Sequence, residues 1–493
     1  SLLTSLFHVI LGNQEKALAA AQKGLNAAEK SHASLGIRIG KMRLAHAKQL
    51  DIDRTLQPDY VEEIKQLYED AMRDMAVARI NVEPLWGMCR LLGYAGELGE
   101  AMRVAQAAIA LATQSGDVWI GMMVRISLGA SLAQAGEFES ASNELALAET
   151  MALQVGDEFA LMACWIWQAY LAQLQGYKNS CRLFLEQALA VISDKSYEFF
   201  LIKPSLLGPN DIACFVPLLI EARKAGIEPA LVERLLREQG FEKINYHPGY
   251  RLRLSLLGPF ECFLGEQRVS SETWKREKAR HLLQILAVSY PKPLSKGQIL
   301  SMLWPDSDNT TASNALKVVM SALNNALEPN RPSGAQAFFA LRDGNQYALN
   351  SLAGNILDHV QFENLASSNE IDDLNTALTL YRGRLLEGEA SQDALVIEMQ
   401  YYHRLFLDCA ERVLEDLFNK GDFHRTILIA NQIIQKDPLY ERAYLYQMKA
   451  YHALGNTTMV RKVYADATEF LSAQLGDAYH ADQLKAFLLR NPR

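Results

Sequence analysis

Glycines recur in a fixed register through the first half of this chain, and that register restricts the fold more than any other feature. Gly96, Gly136 and Gly176 follow one another at a constant step of about 40 residues, with Gly12 about two steps upstream. Five residues after each stands a small side chain, Ala17, Ala101, Ala141 or Cys181, and twelve after each stands Gly24, Ala108, Ala148 or Ala188. Taken singly, each glycine reads as an ordinary helix cap. In shared register they read as turns between paired antiparallel helices, because close helix approach needs small side chains at fixed points. Gly116-Asp117 and Gly156-Asp157 fall where the second helix of a pair should end, with glycine as a left-handed cap. The segment therefore reads as a helical solenoid.

The stretch Leu50 to Ile80 fills the missing step as a degenerate repeat, with Tyr60, Ile64, Leu67 and Ala71 at helical spacing. A second array lies near the C-terminus. There Gly421-Asp422 and Gly455-Asn456 are about 34 residues apart, the tetratricopeptide (TPR) period. Asp437-Pro438 separates two helices, and Ala443, Leu445, Met448 and Tyr451 form the amphipathic run that follows. The surface of such arrays binds peptides, proteins or small ligands, and sequence does not choose among them.

At 493 residues the chain exceeds what one core can organise and should form three or four domains. Its 49% hydrophobic and 22% charged residues are an ordinary globular balance. The most membrane-like stretch is Phe159 to Leu174, interrupted by Gln168 and Gln173, so no membrane span is expected. No secretory leader is evident at Ser1 to Gly12, which reads as helix, and a cytoplasmic location is expected. Cys89, Cys164, Cys181, Cys214, Cys262 and Cys409 have no paired spacing, and the ten histidines show no metal-ligand spacing. Neither a metal site nor a cofactor is expected. The net charge is −8, but it is unevenly spread: Arg251 to Asn350 holds 12 basic and 8 acidic residues, against 37 and 49 elsewhere. One basic window sits in an acidic protein.

Within that window the pattern changes. Leu252, Leu254 and Leu256 alternate with other residues, Gly258-Pro259 interrupts, and Phe260, Cys262 and Leu264 continue; Gly265-Glu266 turns the chain back toward Val269. Trp274 is expected to open a helix with Leu282, Leu283, Ile285 and Leu286 on its apolar face and Lys275, Arg276, Lys278 and Arg280 in its first turns. Pro291 and Pro293 stop it. Ser295 with Gln298 forms a capping box for a second helix through Ile299, Leu300, Leu303 and Trp304, which Pro305 ends. A third helix begins near Asn309, with Leu316, Met320, Leu323 and Leu327 on one face and Thr310, Asn314, Lys317, Val318, Ser321 and Asn325 on the other. Phe338, Phe339 and Leu341, then Tyr347 and Leu349, flank the turn Arg342-Asp343-Gly344-Asn345. Strand hairpin, three helices and a terminal hairpin are a winged-helix layout, in which the third helix enters the major groove of DNA.

The same residues resemble a known family. Leu257-Gly258-Pro259-Phe260, Trp274 with Lys278-Ala279-Arg280, Leu303-Trp304-Pro305-Asp306, Ala326-Leu327-Glu328-Pro329 and the Gly344 to Tyr347 wing resemble the OmpR-type winged helix of the bacterial antibiotic-regulatory-protein (SARP) activators. Asp358 and Phe362, Leu380-Tyr381-Arg382-Gly383-Arg384-Leu385-Leu386, and Asp437-Pro438-Leu439 with Glu441 are similar to the bacterial transcriptional activation domain that follows it. The resemblance covers roughly half the chain. It implies operator binding, often at direct repeats, and contact with RNA polymerase. The N-terminal array is similar to the sensor repeats of MalT-like regulators, which implies an inducer and coupling to an ATPase module. Because Ser1 lies inside a repeat, the chain reads as the C-terminal part of a larger regulator. The family's usual arginines on the third helix are reduced here to Lys317, with Ala322, Asn324 and Asn325 at other such positions. Fewer cations release fewer counterions, so a shallow salt dependence is expected.

The DNA-contact expectation thus comprises Lys275, Arg276, Lys278, Arg280, Thr310, Asn314, Lys317, Ser321, Asn325 and Arg342. Asn314 and Asn325 suit adenine edges, or are solvated helix residues. The basic run suits phosphates or is simply solvent-facing, with Arg280 open to an internal carboxylate. Arg342 suits a phosphate or the minor groove. Catalysis is not expected: Gly36 to Met42 is one residue short of a phosphate loop and lacks its hydroxyl, and no other catalytic motif is present. The expected fold is mainly α: a TPR-like solenoid over 1–245, an α+β winged helix over 250–350 and an all-α, TPR-like activation domain over 355–493. Expected partners are double-stranded promoter DNA, RNA polymerase, a small-molecule or protein effector at the N-terminal repeats, and a second copy of the chain, with no membrane. The rival reading is a TPR interaction scaffold whose winged helix no longer binds DNA.

Overall fold

Each register glycine lies where the chain reverses: Gly12, Gly96, Gly136 and Gly176 have φ of +67°, +82°, +85° and +78°, a region that strains any residue with a Cβ. A computed structural model describes residues 1–51, 58–73, 78–389, 394–476 and 479–491. Its architecture is mainly α, a solenoid-like run of helices followed by a small sheet region and an all-α C-terminal part. The small register residues are covered, with Ala101, Ala108, Ala141, Ala148 and Ala188 wholly buried. Asp117 and Asp157 each cap the next helix by accepting an amide from Ile120 and Ala160. The first helices of successive pairs, Ala78–Tyr94, Val118–Ala135 and Glu158–Leu174, pack along one another as an inner layer. Gly36 to Met42 lies in the helix Ser34–Lys48.

Three expectations change here. Within the degenerate repeat, Tyr60, Ile64 and Ala71 are buried in the helix Pro58–Met72, but Tyr68 fills the position expected for Leu67. The 3.6-residue repeat, counted from Tyr60 and Ile64, arrives at 68; residues 52–57 and 74–77 of that stretch lie outside the described residues. The apolar helix is also a different one. Val118–Ala135 is the helix, among the described residues, long and apolar enough to cross a membrane, and 72% of it is buried within the repeats. Packing on its neighbours accounts for its composition. Finally, Trp274 does not open a helix: a 3-10 turn spans Ser271–Thr273 and the α-helix starts at Glu277, because Arg276 is extended (φ −140°).

Residue contacts divide the chain into Ser1–Arg251 with Asn330–Gln336, and Leu252–Pro329 with Ala337–Arg493. In the second unit β1 (Leu252–Ser255) and β2 (Glu261–Leu264) are antiparallel, and β3 (Gln267–Arg268) pairs with β2. The helices Glu277–Val288, Lys296–Leu303 and Asn309–Leu327 pack together, with β4 (Leu294–Ser295) between the first two. The hairpin of β5 (Ala340–Asp343) and β6 (Gln346–Leu349) adds to β4 in the order β4-β6-β5. Both Arg342 and Asp343 lie in β5, which shortens the expected turn to Gly344-Asn345. Then β7 (Ile356–Leu357) joins β1 in parallel, completing the order β3-β2-β1-β7.

Among the described residues seven α-helices follow: Asp358–Ala366, Ile371–Leu380, Val396–Asn419, Phe423–Lys436, Glu441–Ala453, Thr457–Leu475 and Asp482–Arg490. They are joined to the first sheet by buried polar contacts. The Asp358 carboxylate accepts the amides of Leu256 (2.7 Å) and Leu257 (3.0 Å). The segment after Tyr381 runs beside the same residues: Leu386 N donates to Leu256 O, Gly258 N to Arg384 O, and Glu387 N to Gly258 O.

Candidate functional site

Asn309–Leu327 is the helix on which the functional expectation rests, and its two faces separate cleanly. Ala312, Leu316, Val319, Met320, Leu323, Ala326 and Leu327 are buried. Thr310, Asn314, Lys317, Ser321 and Asn325 are all exposed. At about 100° per residue these five span an arc of roughly 80°, and at about 1.5 Å rise a length of roughly 22 Å. Val318, 47% exposed, adds one apolar group at the edge of the stripe. Lys317 is the single charge among the five.

The helix is fixed at both ends. At its start the Asp308 carboxylate accepts the amides of Thr310 (2.9 Å) and Thr311 (3.0 Å). Those bonds, with the Thr311 hydroxyl first, hold the Asp308 carboxyl below its usual range. At its end Glu328 is buried and accepts the amides of Phe338 (2.8 Å) and Phe339 (3.0 Å), so the strand leading into the hairpin hangs from the helix terminus. The hairpin tip is tied to the second helix as well, Lys296 N donating to Asn345 O. The expected capping box of Ser295 and Gln298 is present at the start of that helix.

The four expected cations of the preceding segment split into two pairs. Lys275 and Arg276 are exposed ahead of the helix Glu277–Val288. Lys278 donates to Leu303 O (2.5 Å) at the C-terminus of the second helix and lies over the Trp304 ring. Arg280 is half-buried and paired with Glu389, whose other oxygen accepts from Gln284 (3.0 Å). Arg280 therefore takes the alternative left open for it, a partner carboxylate, and joins the helix to the C-terminal region through Glu389, which is itself 11% exposed. Arg342 is exposed on the hairpin, its Nε donating to Gly344 O (3.0 Å).

Sequence reasoning named Glu328 and Asp358 only within a resemblance, did not name Glu389, and missed what each of the three holds. Glu328, Asp358 and Glu389 are acids whose roles depend on partners 10 to 109 positions away. A usable signal existed for the first two, each a lone carboxylate next to apolar residues. Among the described residues no group of three or more His, Cys, Asp and Glu side chains is placed to hold a metal ion. The six cysteines are free and buried, and burial raises the thiols of Cys89, Cys181 and Cys409 to about 12.

Residues 361–482 match the family model of the bacterial transcriptional activator domain. The C-terminal helices thus carry a regulator-class domain directly after the three-helix module. Among solved structures, Mycobacterium tuberculosis EmbR in complex with a low affinity phosphopeptide is similar at 19% identity and a TM-score of 0.40, over 50% of this chain and 65% of that one. This chain therefore spans less than two thirds of the EmbR chain. BtubC (BKLC) from P. vanneervenii is similar at 17% identity and a TM-score of 0.34, over 48% of this chain and 95% of that one. No curated protein matches the chain.

Proposed function

We propose that the chain is a sequence-specific, DNA-binding transcriptional activator of the SARP type, acting in the cytoplasm. Residues 250–350 are its OmpR-type winged helix, 355–493 its activation domain toward RNA polymerase, and 1–245 the MalT-like, TPR-like region that receives a ligand or protein signal. The observation that carries this reading is the exposed polar stripe of Thr310, Asn314, Lys317, Ser321 and Asn325 on a helix whose other face is wholly apolar. A carboxamide pairs with an adenine edge through two hydrogen bonds, and Asn314 and Asn325 present two such groups on one stripe. Lys275, Arg276 and Arg342 supply phosphate contacts from the flanking segments. The match of 361–482 to an activator domain supports the output half.

The single cation on the stripe favours the rival, an interaction scaffold that has lost DNA binding. Selection of bound fragments from genomic DNA, followed by footprinting, separates the two. An activator enriches a common sequence and protects it; a scaffold protects nothing at any salt concentration. On the selected site Lys317→Ala should lower affinity about tenfold and reduce the salt slope by about 1. Unchanged affinity would remove this helix from the groove.

A further inference from the structure

A stretch with no helix or strand runs from Lys203 to Asp211 against the inner layer of the N-terminal repeats, half-buried at its ends and buried from Ser205 to Pro209. Irregular backbone normally runs over the surface, because its carbonyls need water. Here side chains of the repeats take that role. Arg90, 1% exposed, donates through Nη2 to Ser205 O (3.1 Å) and Gly208 O (3.4 Å). Tyr94 Oη donates to Gly208 O (3.0 Å), and Trp167 Nε1 donates to Leu207 O (2.8 Å). Further along, Lys203 Nζ donates to Asn13 Oδ1 (3.0 Å) at the first turn. The donors are themselves held in place: Arg90 also donates to Gln49 Oε1 (2.9 Å) and lies over the Tyr94 ring, and Gln49 donates to Gly87 O (2.9 Å). Leu206 and Leu207 fill apolar space at 1% and 4% exposure.

We propose that this inner layer is a peptide-binding site, occupied in cis by residues 203–211, and that its exchange partner is a linear segment of another protein presenting two adjacent leucines before a glycine–proline turn. Donors aimed at carbonyls recognise the backbone of any such segment, while the leucine pockets set its chemistry. The occupant in cis is seated by its own sequence, which names the class of competitor. Its fit is incomplete, since the buried Oδ1 of Asn210 has no hydrogen-bond partner among the described residues. The identical pentapeptide Ser255-Leu256-Leu257-Gly258-Pro259 is locked into β1 and its neighbours, with Leu256 and Leu257 fully buried, and is no competitor. This inference deepens the reading of residues 1–245 as the signal-receiving region and rests on it for its biological use, not for its physics.

The test uses the full chain and a fluorescent synthetic peptide of residues 203–211. In wild type the tethered segment competes at a millimolar-scale effective concentration, so the free peptide should bind about tenfold or more weakly than to the double variant Leu206→Ala, Leu207→Ala. Adding Trp167→Phe to that variant should weaken the peptide about fivefold, the loss of one hydrogen bond, and a scrambled peptide should not bind. Should the double variant fail to fold, as judged by circular dichroism, hydrogen exchange on wild type decides: millimolar peptide should speed exchange of the 205–211 amides and leave the helices unchanged. No binding to a folded variant, binding indifferent to Trp167, or unchanged exchange overturns the proposal. None of these readouts involves DNA, so a failed genomic footprint would sink the activator reading and leave this result standing.

Discussion

Ser-Leu-Leu-Gly-Pro is buried twice in this protein, at 205–209 and at 255–259, and the two copies are held by opposite chemistry. At 205–209 the carbonyls lack partners from regular structure, and a cation and two neutral donors supply them. At 255–259 the amides of Leu256 and Leu257 need an acceptor, and the carboxylate of Asp358 supplies it. One copy forms a turn closed by Gly208 N on Ser205 Oγ (3.0 Å); the other ends a strand. Conformation decides which backbone groups are left over, and those groups decide the sign of the charge that is buried beside them.

That contrast can be broken most easily at its two charged anchors. Arg90→Ala should destabilise the N-terminal unit by about 4 kcal/mol, since it removes three buried charge-assisted hydrogen bonds at once, leaving Ser205 O and Gly208 O with only Gly208 N and Tyr94 Oη and the Gln49 amide oxygen without its guanidinium. Asp358→Ala leaves two buried amides unpaired and should cost the C-terminal unit about 3 kcal/mol. Thermal unfolding that resolves the two units should show each variant lowering a different transition. A shared loss in both transitions would contradict the separate anchoring.

Acid titration sharpens the comparison further. Burial raises the Asp358 carboxyl to about 6, against the pull of the Leu256 and Leu257 amides. Its share of stability is therefore full below the ordinary carboxyl range, near 3.8, and is lost as pH rises through about 6. The neighbouring His359 is lowered by burial to about 4. Its share is present above 6.5 and is lost as pH falls through about 4, so the two groups oppose each other over one window. His359→Gln should make the C-terminal unit gain stability relative to wild type as pH falls from about 6 to 4, read from denaturant midpoints. A variant that tracks wild type throughout would show that the pair does not titrate as placed.

The smallest effect is expected at the salt bridge within the joint. Glu389→Ala frees a half-buried Arg280 and should cost about 1 kcal/mol. On the proposed DNA-binding reading it should also raise nonspecific DNA affinity slightly, because the released guanidinium gains freedom to reach phosphates. A gain in stability on that substitution would mean that the pair is a net burden to the fold.

The parts of this protein that were legible in its sequence are those governed by local periodicity. Gly96, Gly136 and Gly176 located the reversals, Ser295 and Gln298 the cap of a helix, and the spacing of Leu316, Met320, Leu323 and Leu327 the buried side of another. What escaped was non-local. Nothing in the run 203–211 has a period, so its burial follows only from Arg90, Tyr94 and Trp167 on helices that precede it by up to 118 positions. For Arg280 an internal carboxylate was an open alternative, but that it is Glu389, 109 residues away, has no local signal. For the same reason the polar stripe was foreseeable, whereas the distant partners of Glu328 and Glu389 were not.

The joint built from Asp358, the 384–387 segment and the Arg280–Glu389 pair has a mechanical corollary. With backbone bonds and a buried carboxylate across it, the joint is built as a weld rather than a hinge; on the proposed activator reading, the angular offset between operator and polymerase would then be set by the protein and not absorbed by swivelling. Promoters served by such a molecule should be phase-sensitive: lengthening the spacer by half a helical turn silences them, and a full turn of about 10 base pairs restores output.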